Sequence, residues 1–150
     1  MVTIETSRRG AELISIKDEN GNELLHDGKT SWGRHAPILF PRVGGLEDDI
    51  TIIGGQGFTL PKHGFARDME FEEIGPNSYK LVANEETKRE FPFDFELYIS
   101  YKVDGDTVST CCTVKNVGSE LMPFGLGFHP AFKCDYSSGE SRKNHFVIKL

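Results

Sequence analysis

A chain of 150 residues with 37% hydrophobic residues and 11 Phe is long enough to bury one ordinary core, so one domain is the expected count. Its 23 acidic and 17 basic residues give a net charge of -6, which argues against a nucleic-acid partner, and no basic amphipathic stretch suits a membrane surface; a small neutral ligand fits better. The 16 Gly and 7 Pro are dispersed and form no low-complexity block, a composition that speaks against disorder and for many short strands joined by turns.

Met1-Val2-Thr3-Ile4-Glu5 shows no basic region followed by an apolar run, and nowhere do 18 apolar residues follow one another. A cytoplasmic protein with no membrane partner is the expectation. Ile14 to Leu25 reads as a hairpin around Asn20-Gly21, and Ile50 to Leu60 as another around Gly54-Gly55. Met69 to Ile74 and Tyr79 to Ala83 flank Gly75-Pro76-Asn77 as a third. Asn84 to Glu90 is the one stretch suited to a short helical turn, and its charge run is most simply a solvated face.

From Phe91 the alternation is strict: Phe91, Phe93, Phe95, Leu97, Ile99, Tyr101 and Val103 are apolar, with Asp94, Glu96 and Lys102 among the residues between them. Period two over that length predicts a strand with the odd-numbered series buried. Asp104-Gly105 supplies a tight turn, after which Val108, Thr110, Cys112 and Val114 continue the alternation on a second strand. Phe146 to Leu150 reads as the beginning of another strand. Cys111, Cys112 and Cys134 are odd in number, and adjacent cysteines on a strand point to opposite faces, so a disulfide framework is not expected and a reducing compartment is.

Three segments do not behave as plain strands. In Trp32 to Leu46, two Pro and three Gly interrupt apolar residues beside Arg34, Arg42 and His35. An aromatic ring beside fixed guanidinium donors suits a sugar, whose C–H face the ring covers while Arg reaches the hydroxyls. The simpler alternative is an irregular core segment whose arginines point to water. The other two segments are Leu60-Pro61-Lys62-His63-Gly64-Phe65-Ala66-Arg67-Asp68 and Met122 to Phe132, which place His63 and His129 in bends bounded by Gly and Pro. Histidine is the natural general acid near neutral pH, although a lone His is more often a hydrogen-bonded structural residue. Other chemistries lack support. His26, His35, His63, His129 and His145 show no HxH or HExxH spacing, so no metal site is expected. Gly54-Gly55-Gln56-Gly57 precedes a strand where a phosphate loop would need a helix, and no Ser lies in a nucleophile elbow.

Trp32-Gly33-Arg34-His35-Ala36-Pro37-Ile38-Leu39-Phe40-Pro41, Leu60 to Asp68 and Phe124-Gly125-Leu126-Gly127-Phe128-His129-Pro130-Ala131-Phe132 resemble, in order and spacing, the galactose mutarotase superfamily, particularly its LacX-like branch of aldose 1-epimerases. Phe91 to Leu97 and Val114-Lys115-Asn116 extend the resemblance over nearly the whole chain. It implies an all-β antiparallel β-supersandwich, of which residues 1–150 form an N-terminal, partial domain. It also implies interconversion of the α and β anomers of aldohexoses, with no cofactor. By motif position His129 resembles the family's general acid and His63 its other active-site histidine, while Trp32 and Arg67 are the expected sugar contacts. Where relatives carry a substrate-binding Arg this chain has Gly45, so Arg42 is the expected substitute. The family's general base, a glutamate, falls in a C-terminal half beyond this sequence, so the chain alone is expected to be a poor epimerase. The alternatives are a non-catalytic carbohydrate-binding domain and a structural β-sandwich whose sheet edges mediate assembly. A second copy of the chain or a C-terminal partner segment is expected to cover the apolar face that includes Phe146, Val147 and Ile148.

Overall fold

A computed structural model describes residues 1–133 of the chain. The strand expected from Phe146 onward, together with Cys134 and His145, lies outside the described residues. Turn chemistry accounts for most of the architecture. Gly54 (φ 58°) and Gly55 (φ 83°) both take the left-handed conformation that a two-residue hairpin needs, and they join β4 (Ile50–Ile53) to β5 (Gln56–Thr59). Pro76 and Asn77 connect β6 (Glu72–Gly75) to β7 (Ser78–Val82), with Asn77 absorbing the positive φ of 49°. Gly105 (φ 61°) opens the two-residue loop between β8 (Phe95–Asp104) and β9 (Thr107–Asn116), whose ladder runs unbroken from Phe95↔Asn116 to Asp104↔Thr107. The four strands form one antiparallel sheet in the order β6-β7-β8-β9.

The helical turn forms as expected, and its cause is local. Asn84 accepts hydrogen bonds from the Glu86 and Thr87 amides, while the Thr87 hydroxyl accepts from the Asn84 amide, so a capping box starts α1 (Glu85–Glu90). Phe91 ends it by donating to the Thr87 carbonyl, and Pro92 cannot continue it. Strand β8 therefore begins at Phe95, later than the apolar alternation suggests. Burial nonetheless follows the odd numbers: Phe91, Phe93, Phe95, Leu97, Ile99 and Tyr101 are all buried. Asp94 and Lys102 are exposed, whereas Val103 and Glu96 are half-buried, the latter holding Lys80 at 2.7 Å.

Two pairings were not anticipated. The hairpin expected over 14–25 closes around Asn20-Gly21, with Lys17 bridged to Glu23 and the Leu24 amide donating to the Ile16 carbonyl at 2.8 Å, but its second arm stops at that bridge, where the Glu23 carboxylate accepts from the amides of Ile16, Leu24 and Leu25 and from the Ser15 hydroxyl. Strand β2 (Leu13–Lys17) also pairs, over its whole length, with β1 (Thr3–Thr6), setting Ile4 opposite Ile16. The other pairing joins β3 (Ile38–Leu39) to β10 (Gly127–Phe128). Directly after β3, the fully buried Phe40 packs its ring against Phe65, Phe91, Phe95 and Phe124, with centroids 5.1 to 6.2 Å away. The phenylalanine core thus fixes the irregular segment on which the first motif lies.

Candidate functional site

Strand β10 carries His129 toward the first motif. Leu39 faces Gly127 and Ile38 faces Phe128, and the contact continues as the His129 amide donates to the Pro37 carbonyl at 3.1 Å and the Ala131 amide to His35 at 2.8 Å. A Cβ at Gly127 would lie 2.9 Å from a Val43 methyl and 3.3 Å from a Leu39 methyl, so any larger residue there would have to push these side chains aside. His63 arrives by another route, in the loop between β5 and a 3-10 turn at Ala66–Asp68. Its own φ is 71°, and a Cβ at Gly64 (φ 70°) would meet the Phe40 carbonyl oxygen at 2.2 Å. Only a glycine lets this loop lie on the Phe40 backbone.

Two hydrogen bonds then orient the imidazole. The His63 amide donates to the Gly44 carbonyl at 2.9 Å, and the Gly44 amide donates to His63 Nδ1 at 3.0 Å. An Nδ1 that accepts leaves the proton of the neutral ring on Nε2. Burial, followed by the charges of Arg67, Lys62, His129 and Arg42, holds the His63 proton affinity below the usual histidine range. His63 is therefore a neutral donor near pH 7.

The two imidazoles meet in a cleft of about 260 Å3, with ring centroids 6.2 Å apart. Trp32 forms one wall, its ring 5.1 Å from that of His129 and tilted by 55°. Lys62 and Arg67 supply the cations, and Pro37 and Leu39 an apolar floor. Arg67 is held by its Nη2 donating to the Lys62 carbonyl at 2.8 Å and by Asp68, which lies 3.5 Å from its Nε and 2.8 Å from Arg34. Hollows of about 440 and 570 Å3 occur elsewhere, the former sharing Trp32 and Arg67, but neither brings two imidazoles, an indole and two cations together.

Four of the five residues singled out from sequence, Trp32, His63, Arg67 and His129, line this cleft. His63 and His129 reach it from different sheets, since β4–β5, β3–β10 and β6–β9 are separate among the described residues. Arg42 does not line the cleft. Its Nη1 is buried without a hydrogen-bond partner, and its charge reaches His63 through space. Lys62 is the lining residue that sequence reasoning passed over, although its place directly before His63 was the available signal. Among the described residues no group of three or more His, Cys, Asp or Glu is placed to hold a metal, and no helix is long and apolar enough to cross a membrane.

Solved structures of the same form include a galactose mutarotase related enzyme from Lactobacillus acidophilus, with a TM-score of 0.89 and 36% identity, covering 95% of this chain and 49% of that one. A galactose mutarotase-like protein from Lactobacillus casei gives a TM-score of 0.83 at 36% identity, covering 87% of this chain and 47% of that one. Fold and cleft together define an all-β protein of galactose mutarotase-like type. The family model described as aldose 1-epimerase matches residues 1–148, and the chain belongs to that family. Protein LacX (chromosomal) of Lactococcus lactis is 36% identical over 155 residues, covering 96% of this chain and 52% of the relative. The chain spans about half the length of the curated relatives it matches.

Proposed function

We propose that the cleft binds an aldohexose and serves the interconversion of its α and β anomers. The observation that carries this reading is the pair of imidazoles 6.2 Å apart beside Trp32 in one cleft. Anomer exchange needs a base to take the proton from the anomeric hydroxyl, so that its electrons form the C1 carbonyl and the bond from C1 to the ring oxygen breaks. An acid simultaneously protonates that oxygen. Rotation about the bond between C1 and C2 followed by the reverse steps closes the ring on its other face. No electrons leave the sugar, so atoms and charge balance without a cofactor. His129 is the proposed acid, and His63, neutral with its proton on Nε2, the proposed donor near the ring oxygen and C1. Trp32 covers the apolar sugar face, and Arg67 reaches hydroxyls.

Neither imidazole is the proposed base. A carboxylate in the other half of the family's length has that role, and residues 1–150 are taken as part of one such domain. Phe124 and Phe128, 48% and 41% exposed, belong to the apolar face that a C-terminal segment is proposed to cover. A cytoplasmic sugar pool is the proposed setting, supported by the odd number of cysteines. Loss of one member of an acid–base pair lowers rates by roughly 10² to 10⁴, so the chain by itself is expected to speed mutarotation only weakly. Polarimetry of freshly dissolved α-D-galactose and α-D-glucose tests this. A small acceleration that disappears on His129→Gln supports it; binding of sugar with no acceleration at all leaves only a sugar-binding domain.

A further inference from the structure

Gly45 and Lys62 stand in a relation that backbone geometry does not require. Gly44 and Gly64 both adopt left-handed φ values, 84° and 70°, and a Cβ on Gly64 would strike Phe40; each has a reason to be glycine. Gly45 has neither reason. Its φ lies outside the left-handed region, and a Cβ built there meets, among the described residues, only the Lys62 Cγ at 3.9 Å. A Cβ at position 45 would touch the Lys62 stem at ordinary van der Waals distance, so a longer side chain from that position would enter the space beside Lys62. Lys62 is also anchored at its root: its carbonyl accepts from Arg67 at 2.8 Å, and the next residue, His63, is tied to Gly44 by two hydrogen bonds. A firmly held backbone thus carries a long cationic side chain that lines the cleft between His63 and Arg67.

We propose that Lys62 is a substrate-binding residue of the cleft, its ammonium donating to hydroxyl oxygens of the sugar, and that a cation projecting from position 45 is its spatial equivalent. An ammonium offers three donors from a compact point, which suits hydroxyls at varied angles, whereas a guanidinium at position 45 would approach the same place as a planar fork. The pairing makes Lys62 a specificity determinant: it decides which hydroxyl pattern the cleft holds. This inference rests on the sugar reading above, and it specifies a residue that the reading does not need.

The single tryptophan, Trp32, lines the same cleft and reports on its occupancy. Fluorescence titrations with D-galactose and D-glucose are compared for the unsubstituted chain, Lys62→Gln, and Lys62→Gln combined with Gly45→Arg. Lys62 is exposed, so the melting temperature of Lys62→Gln should not change. Its sugar affinity should fall roughly tenfold or more, the scale of a lost hydrogen bond to a charged donor, and the Gly45→Arg addition should restore most of it. A second readout checks that the Lys62 charge acts at the cleft. Among the groups whose charge acts on His63 is Lys62, beside Arg67 and Arg42, so removing Lys62 should raise the His63 titration midpoint seen by NMR. Equal affinity in Lys62→Gln overturns the proposal while the sugar reading stands, and an unmoved His63 midpoint overturns the placement of the Lys62 charge beside His63. Weakening that Gly45→Arg does not reverse overturns the spatial equivalence it asserts. If the unsubstituted chain shows no sugar-dependent change, the sugar reading and the proposal fall together.

Discussion

His63 and Gly44 hold each other by reciprocal hydrogen bonds, the His63 amide donating to the Gly44 carbonyl and the Gly44 amide donating to His63 Nδ1. Protonation of Nδ1 would set two donors face to face, and burial and the nearby cations already oppose it. His63 should therefore appear in nitrogen NMR spectra at pH 7 as the neutral tautomer with its proton on Nε2. The sign of the linked stability follows. Between the lowered folded value and the unfolded value of about 6.5, the unfolded chain binds more protons, so stability rises with pH across that window and is fully present above it. Urea midpoints measured across this range should climb with pH in the natural chain and climb less in His63→Gln. Identical pH profiles for the two would exclude the linkage.

The neighbouring glycines provide a contrast in backbone terms. Gly64→Ala forces a Cβ to 2.2 Å from the Phe40 carbonyl at a φ of 70°, so the loop must leave the core. A destabilisation of about 2 kcal/mol or more is expected, as for other incompatible substitutions at positive φ. Gly45→Ala meets only the Lys62 stem and should shift stability by no more than about 0.5 kcal/mol. Chemical denaturation of the two variants side by side decides the matter; equal losses would show that loop 44–45 is as constrained as loop 63–64.

The sequence revealed some of this organisation more readily than the rest. Hairpins whose turns carry Gly54-Gly55, Pro76-Asn77 and Gly105 were legible because each turn geometry demands a particular residue type, and the odd-numbered burial from Phe91 to Tyr101 followed from period two alone. The pairing of β3 with β10 was not, since two residues on each side carry no periodic signal and lie 88 positions apart, as Leu39 and Gly127 show. The shortness of the second arm at Glu23 had a related cause: beyond the bridge to Lys17 a side-chain carboxylate stands in for ladder carbonyls, and no alternation pattern records that. For the site, the motifs marked Trp32, His63, Arg67 and His129, but whether Arg42 or Lys62 turned toward the cleft depended on loop direction set by Gly64 against Phe40.

Phe40 links the core to the cleft, because its ring contacts four other phenylalanines and its carbonyl supports the His63 loop. Phe40→Ala should lower stability by about 3 to 5 kcal/mol, the usual range for a buried aromatic. The loss should be felt at the site as well, so that any fraction remaining folded shows a changed His63 titration. A stable Phe40→Ala variant with an unaltered His63 signal would mean that the loop is positioned by something other than this core.

The last prediction concerns the contact between Trp32 and His129. The two rings lie 5.1 Å apart, nearer than His63 at 6.2 Å, and His129 is itself solvent-exposed, so the indole is the nearer ring against which the imidazole is set. Under the proposed function, removing the indole should act twice: it would take away the apolar face offered to the sugar, and it would let His129 sample rotamers unsuited to the proton transfer proposed for it. Trp32→Ala is expected to weaken sugar binding measured by calorimetry by up to about tenfold, corresponding to the ~0.5 to 1.5 kcal/mol typical of a contact with an aromatic face. Trp32→Phe keeps a face for the sugar and a ring beside His129, and should retain most of the affinity and of any polarimetric rate. The decisive pattern lies in the ordering: Ala must fall below Phe in both binding and rate. If Trp32→Phe lost as much as Trp32→Ala in both, the indole N–H would be the operative group and the stacking role assigned to Trp32 would be wrong.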